Sequence, residues 1–250
     1  MTAPVSQSEN QSFLDALPRV VAALVSLSAL GYFAGWREAK AYYTGLGAPW
    51  ASAMLSPQSL LQLSATTMVV VLAAAFLSLQ ILLESKLSLR KVDWACGLAL
   101  LGAAICLFAS QGQIGGISSL GAFALATVGS YLCAIAAGLT LTQLYFTLKN
   151  TSGKKLVAGH LWLVYWFVLP GLFWAPDRLG QARAQLDSDL TSSPLPTLKL
   201  AQGPNAGESW RFVHLASDKA LLLRQDAAGK LVFKLVEGKD IDSIGPAKTR

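Results

Sequence analysis

The stretch MVVVLAAAFLSLQILL, Met68 to Leu83, decides the fold class of this chain. It contains no charged residue, and the apolar tract to which it belongs begins at about Leu60. A helix rises about 1.5 Å per residue, so about 20 residues cross a hydrocarbon core of about 30 Å. The stretch therefore predicts a transmembrane helix.

Four further tracts have the length and composition of transmembrane helices. Together the five predicted spans are about Pro18 to Trp36, Leu60 to Leu83, Trp94 to Ser110, Leu120 to Phe146 and Leu156 to Trp174. The first span follows a polar N-terminus, residues 1–17, and an uncleaved helix and a signal peptide are the two interpretations of it. The fold class predicted is an α-helical membrane bundle followed by a small, mostly β soluble domain.

Charge separates the chain into two parts. The whole chain is 53% hydrophobic, and residues 1–176 hold only 9 of the 20 basic and 5 of the 14 acidic residues. We therefore assign residues 18–176 to the membrane domain. Residues 177–196, rich in Gly, Ser, Asp and Pro, predict a tether or a short amphipathic segment, and residues 197–250 form the β-domain.

The β-domain is predicted from short apolar or alternating runs between Thr197 and Ile244. Gln225 to Lys230, which includes Gly229, has the composition of a turn and predicts a hairpin. The runs together indicate an antiparallel sheet of four or five strands.

Orientation follows from the basic residues of the short loops. Three Lys or Arg residues follow each of the second and fourth spans, whereas two follow the first and none follows the third. Basic loops remain in the cytoplasm. The N-terminus is therefore predicted to be cytoplasmic and the β-domain extracytoplasmic. Since the basic residues occur in short clusters between spans, the net charge of +6 does not indicate nucleic-acid binding.

The loop after the first span is the most patterned region. Gly45, Gly47 and Pro49 predict the end of a helix that extends out of this span, and Ser56 with Pro57 predicts the start of the next helix. The aromatic residues of this region have two interpretations, an anchor at the membrane interface or a binding surface. On the second interpretation they form a candidate outer interaction surface that consists of Tyr32, Trp36, Tyr42, Tyr43 and Trp50.

The fourth span has a small residue at every fourth position, which lets another helix approach closely. The candidate helix-packing seam consists of Ala122, Ala126, Ser130, Ala134 and Gly138. The alternative is that this face of the fourth span lines a pore, together with the uncharged loop Ser110 to Gly121.

The sequence contains no catalytic or metal-binding motif. Cys96, Cys106 and Cys133 lie in predicted spans without metal-ligand spacing, and His160 is placed near interfacial water. We therefore assign no catalytic residue, no metal and no cofactor.

The pattern of the first loop resembles one found in uncharacterised bacterial inner-membrane proteins. The residues that carry it are Tyr32, Tyr42, Tyr43, Gly47, Pro49, Leu55, Ser56, Leu60 and Leu61. The ending LVFKLVEGKDIDSI, Leu231 to Ile244, is also similar. This resemblance implies a protein of the bacterial inner membrane with a small β-domain that faces outward.

These observations lead to three functional hypotheses, the third of which is an enzyme that acts on a lipid-linked substrate and for which no catalytic residue is assigned. The first is a non-enzymatic, membrane-anchored interaction protein whose periplasmic domain binds an envelope protein, as an immunity or defence component does. The second is an oligomeric channel or transporter subunit with a pore near the fourth span. The partners expected are the lipid bilayer and an envelope protein or further copies of the chain.

Overall fold

The computed structural model describes residues 7–84, 88–111, 116–150, 169–190, 193–200, 209–216, 218–226 and 228–245. Most of the predicted fifth span, with His160, lies outside these residues. The described helices are α1 Gln7–Gly45, α2 Pro57–Glu84, α3 Leu89–Ala109, α4 Ser119–Asn150 and α5 Ala175–Ser188. The strands are β1 Thr197–Leu200, β2 Ser209–Ala216, β3 Lys219–Gln225, β4 Leu231–Glu237 and β5 Ile241–Gly245.

Three of the described helical segments are long and apolar enough to cross a membrane: Pro57–Glu84, Leu89–Ala109 and Ser119–Thr147. Large apolar side chains on them face outward, and Phe76, Leu98 and Ile105 are each more than 60% exposed. A belt of this kind is unusual on a protein surrounded by water. The fold is therefore consistent with a membrane protein, but the predicted count of five spans is not confirmed.

Helix α1 continues beyond the predicted end of the first span, Trp36, as far as Gly45. Its buried positions recur at intervals of three and four residues, as expected for one face of a helix: Gly31, Ala34, Gly35, Glu38, Ala39, Tyr42, Tyr43 and Leu46. This face packs against α2 and α5. The helix ends where Gly47, with φ of +84°, turns the chain into the short 3-10 helix Pro49–Met54.

Helix α5 occupies the segment for which a tether or an amphipathic piece was predicted. It follows a π-helical turn, Pro170–Trp174, and buries small residues against α1. A side chain added at Gly180 would lie 2.3 Å from the main-chain oxygen of Glu38, so only glycine permits this close approach. The amphipathic alternative therefore describes residues 175–188 better than a flexible tether does.

The five strands form one antiparallel sheet in the order β4-β3-β2-β1-β5. Its two edge strands, β4 and β5, are joined by only three residues, Gly238–Asp240. In a flat sheet four gaps of about 4.8 Å would separate these strands by about 19 Å, whereas a 3-10 turn of this length reaches about 8 Å. The sheet must therefore curl. Val236 of β4 and Ile241 of β5 accordingly share a cluster with Trp210 and Leu222.

One face of the curled sheet is docked on the helices. Leu221 and Leu223 of β3 belong to the same buried cluster as Tyr42 and Tyr43 of α1 and Ala184 of α5. Burial of large apolar and aromatic side chains is the main favourable contribution to such contacts. The sheet is consequently part of the same packed body as the C-terminal end of α1.

Candidate functional site

A buried polar network joins α1 to α5 beside this docked face. The Tyr42 hydroxyl donates a hydrogen bond to Oδ2 of Asp187 at 2.8 Å, and Ser193 donates one to Oδ1 at 3.3 Å. The main-chain N–H of Leu195 in turn donates to the Ser193 hydroxyl at 3.2 Å. Because Asp187 is 1% exposed, these bonds replace the water that its carboxylate loses.

Burial is the largest influence on the pKa values of the groups in this network. It raises the pKa of Asp187, while the hydrogen bonds from Tyr42 and Ser193 and the charge of Arg183 act in the opposite direction. Burial, together with the neighbouring Asp187, raises the pKa of Tyr42 well above its ordinary range. The Tyr42 hydroxyl is therefore a proton donor at every physiological pH.

An ion pair connects the same two helices nearer the start of α5. Arg37 of α1 binds the carboxylate of Asp177 on α5, and both side chains are partly exposed. The guanidinium of Arg37 also lies 5.7 Å from the centre of the Phe173 ring. These contacts help to hold the C-terminal part of α1 on α5.

A cavity of about 240 Å³ lies between the helices and the sheet. It is lined by α1, by the start of α2, by α5 and by β2. The polar side chains in its wall are Glu38, Tyr42, Ser59, Gln62, Arg183 and His214. Since one water needs only about 10 to 15 Å³ of such volume, the cavity has room for a group much larger than a single water molecule.

Glu38 is the unusual member of this wall. It is 7% exposed, and it forms no hydrogen bond or ion pair with the residues that the structure describes. Burial raises the pKa of Glu38 to about 7, although the positive charge of Arg183 opposes this shift. The carboxylate oxygens of Glu38 are not among the fully buried polar atoms that lack a partner, so the group faces the open cavity, where it is accessible to a ligand or a proton.

The other ionisable residues of the cavity are placed around Glu38. The Arg183 guanidinium lies 5.4 Å from the centre of the Tyr42 ring. Burial lowers the pKa of His214, so its imidazole is neutral near pH 7, a form that has one nitrogen able to donate a hydrogen bond and one able to accept. Burial also raises the pKa of Tyr43 to about 12. The cavity thus offers one acid, one permanent cation and neutral polar groups.

The described residues include no group of three or more His, Cys, Asp or Glu side chains placed to hold a metal ion. The chemistry that the cavity offers is binding of a small charged or polar group, with Glu38 able to exchange a proton near neutral pH.

The predicted outer interaction surface is divided by the structure. Tyr32 and Trp50 are 42% and 48% exposed, and Trp36 is partly exposed. Tyr42 and Tyr43, in contrast, are buried against the protein's own sheet. These two residues therefore do not form part of a free surface, because the sheet occupies the place that a partner would need.

The predicted packing seam is buried within the chain. Ala122, Ala126, Ser130, Ala134 and Gly138 all lie inside the packed helices. The Ser130 hydroxyl is 3.4 Å from the main-chain oxygen of Ala175, and a side chain at Gly138 would lie 2.4 Å from that of Val71. These residues contact α2 and the start of α5 in the same molecule.

Of the residues that line the cavity, the sequence predicted a role only for Tyr42 and Tyr43, as part of the candidate outer interaction surface. Glu38 was overlooked because it stands in the short charged run REAK, Arg37 to Lys40, which has the composition of an interfacial loop. Its spacing of four from Tyr42 was the available signal, since residues four apart share a helix face. Arg183 and His214 come from distant segments and have no local signal.

A scan against protein-family models found no match to this chain, and searches of curated proteins and of solved structures found none either. The class of protein is therefore defined by the fold alone: a mostly helical chain with three apolar candidate spans and a C-terminal antiparallel sheet.

Proposed function

We propose that this chain is a membrane-anchored interaction protein of the bacterial inner membrane, which displays its C-terminal sheet to another envelope protein. The observation that supports this proposal is the docking of the sheet. One face packs on Tyr42 and Tyr43, so the domain has a defined orientation relative to the apolar helices. A displayed domain with a fixed orientation is suited to recognition.

We further propose five spans, with α1 and residues 156–174 as the first and the fifth. The basic loops then place the N-terminus in the cytoplasm and the sheet outside it. A reporter that is active only in the cytoplasm, fused after Arg250, tests this orientation. Activity of that reporter would contradict it, whereas activity of a periplasmic reporter at the same position is expected.

The partner surface that we favour is the outer edge of β4. No strand pairs with β4 on this side among the described residues, so we propose that its main-chain groups accept an added strand between β4 and the facing edge of β5. Beside this edge is a depression lined by Leu200, Lys234, Leu235 and Asp240. Leu235 is 42% exposed. An extended segment of the partner would pair with β4 and bury Leu235.

Site-specific photo-crosslinking in intact cells tests this surface. A photoreactive residue in place of Leu235 is expected to give a discrete product with one envelope protein. The matched control is Leu215 of β2, which is also an exposed leucine of the sheet, at 51%. The same products from both positions, or none from Leu235, would refute the proposed surface.

No observation on the described residues favours the alternative function, an oligomeric channel. The small residues of α4, which a pore would require, contact helices of the same chain. Reconstitution in liposomes tests the alternative directly, since flux above that of empty vesicles would support it.

A further inference from the structure

We propose that the cavity between α1, α2, α5 and β2 binds a small zwitterion, with its ammonium group at Glu38 and its anionic group at Arg183. This inference does not rest on the proposed interaction function. It concerns a different surface of the molecule and a ligand of a different class.

The first observation is the unpartnered carboxyl group. Glu38 is 93% removed from solvent and lines the cavity, yet none of the described side chains forms an ion pair with it. An ammonium group would supply both the charge and the hydrogen bonds that this carboxylate lacks.

The second observation is the separate cation. Arg183 lines the same cavity from α5, and its guanidinium lies over the Tyr42 ring. Its charge acts on Glu38, but the two side chains are not hydrogen-bonded to each other within the described structure. An acid and a base that face one cavity without closing on each other match a ligand with both charges.

The third observation concerns the rest of the wall. Ser59, Gln62 and His214 supply neutral donors and acceptors, while Leu55, Leu63 and Val213 supply apolar contacts. Gln62 stands in the second turn of the apolar helix α2, so it would lie near the lipid headgroups if α2 crosses the bilayer as we propose. A phosphoethanolamine group, either free or on a phospholipid, has the two charges and the size that the cavity fits.

The experiment uses the full chain purified in detergent and two soluble probes, glycerophosphoethanolamine and glycerol phosphate. Glycerophosphoethanolamine is expected to raise the thermal midpoint, whereas glycerol phosphate, which lacks the ammonium group, is not. Glu38→Gln should weaken the effect at least about tenfold, because one member of a buried charge pair is lost. Lys40→Gln, at an exposed position two residues away, is the matched control and should respond as the unmodified protein does.

A second arm distinguishes the source of the headgroup. The protein is placed in nanodiscs that contain equal amounts of phosphatidylethanolamine and phosphatidylglycerol, and the lipids that stay bound are determined by native mass spectrometry. Selective retention of phosphatidylethanolamine, lost in Glu38→Gln, supports a lipid ligand even when the soluble probe has no effect.

The proposal is overturned when neither arm shows a preference for the probe or the lipid that carries the ammonium group, or when such a preference persists unchanged in Glu38→Gln. Should Glu38→Gln fail to fold, the comparison of the two probes and of the two lipids on the unmodified protein decides by the same criteria.

Discussion

The hydroxyl of Tyr42 and the carboxylate of Asp187 meet at 2.8 Å in a buried contact between residues 145 positions apart. This hydrogen bond ties the outer end of α1 to the last turn of α5, directly before the chain enters the sheet domain. The contact therefore connects the membrane-proximal helices with the part of the molecule that we propose to be displayed.

Tyr42→Phe should destabilise the protein by about 1 to 3 kcal/mol, since the buried Asp187 loses a donor and gains no water in its place. The measurement is the thermal or denaturant midpoint of the purified protein. Tyr43→Phe is the matched control, because Tyr43 is equally buried and its hydroxyl forms no hydrogen bond within the described residues. Equal effects of the two substitutions would show that the Asp187 contact contributes no stability.

Glu38→Gln should make the free protein more stable at high pH. The folded-state pKa of Glu38 is raised to about 7, so the folded protein binds the proton more tightly than the unfolded chain does. The contribution of Glu38 to stability is consequently greatest below pH 4.5, declines as the pH rises to about 7 and stays low above it.

The substitution removes this penalty, and the gain at pH 8 should reach at most about 3 kcal/mol. Near pH 4 the two proteins should unfold at similar temperatures. If the thermal midpoints of the unmodified protein and of Glu38→Gln varied with pH in parallel, the raised pKa of Glu38 would be contradicted. The other titratable or charged groups in this cavity are Arg183, His214, Tyr42 and Tyr43.

Gly138→Ala should disrupt the helix bundle. The added methyl group would lie 2.4 Å from the main-chain oxygen of Val71, and neither backbone can yield without separating α4 from α2. Overpacking of this kind costs about 1 to 3 kcal/mol or more. Gly97→Ala on α3 is the control, since nothing lies within 4 Å of its added carbon. The fraction of monodisperse protein after detergent extraction reports the difference, and equal yields would refute the close packing.

Replacing Asp177 with Asn should have a small effect, below about 1 kcal/mol, because the ion pair with Arg37 is partly exposed and screened by solvent. The exchange Arg37→Asp with Asp177→Arg should restore any loss. A large effect on the thermal midpoint would instead show that this pair organises the contact between α1 and α5.

The sequence predicted those helices and turns that depend on a single local pattern of residues. The apolar tracts indicated α2, α3 and α4. Gly229, with φ of +80°, lies in the turn between β3 and β4, where a turn was predicted. The end of α1 at Gly45 followed from the glycines and the proline after it.

Relationships between distant segments could not be predicted in this way. The burial of Tyr42 depends on β3, about 180 residues later in the chain. The helix α5 has many polar residues and depends on Gly180 for its approach to α1. The cavity exists only because four elements meet there, so no single segment of the sequence contains its pattern.

The continuity of α1 has a mechanical consequence. A helix of 39 residues is about 58 Å long, nearly twice the thickness of a hydrocarbon core. Pro18 lies inside this helix, and the part beyond it, which is about 40 Å long, carries Glu38 and Tyr42 near its C-terminal end. If α1 crosses the bilayer as we propose, a change in tilt of about 10° would move Gly45 by about 7 Å relative to Pro18. Membrane thickness would then control the position of the displayed sheet.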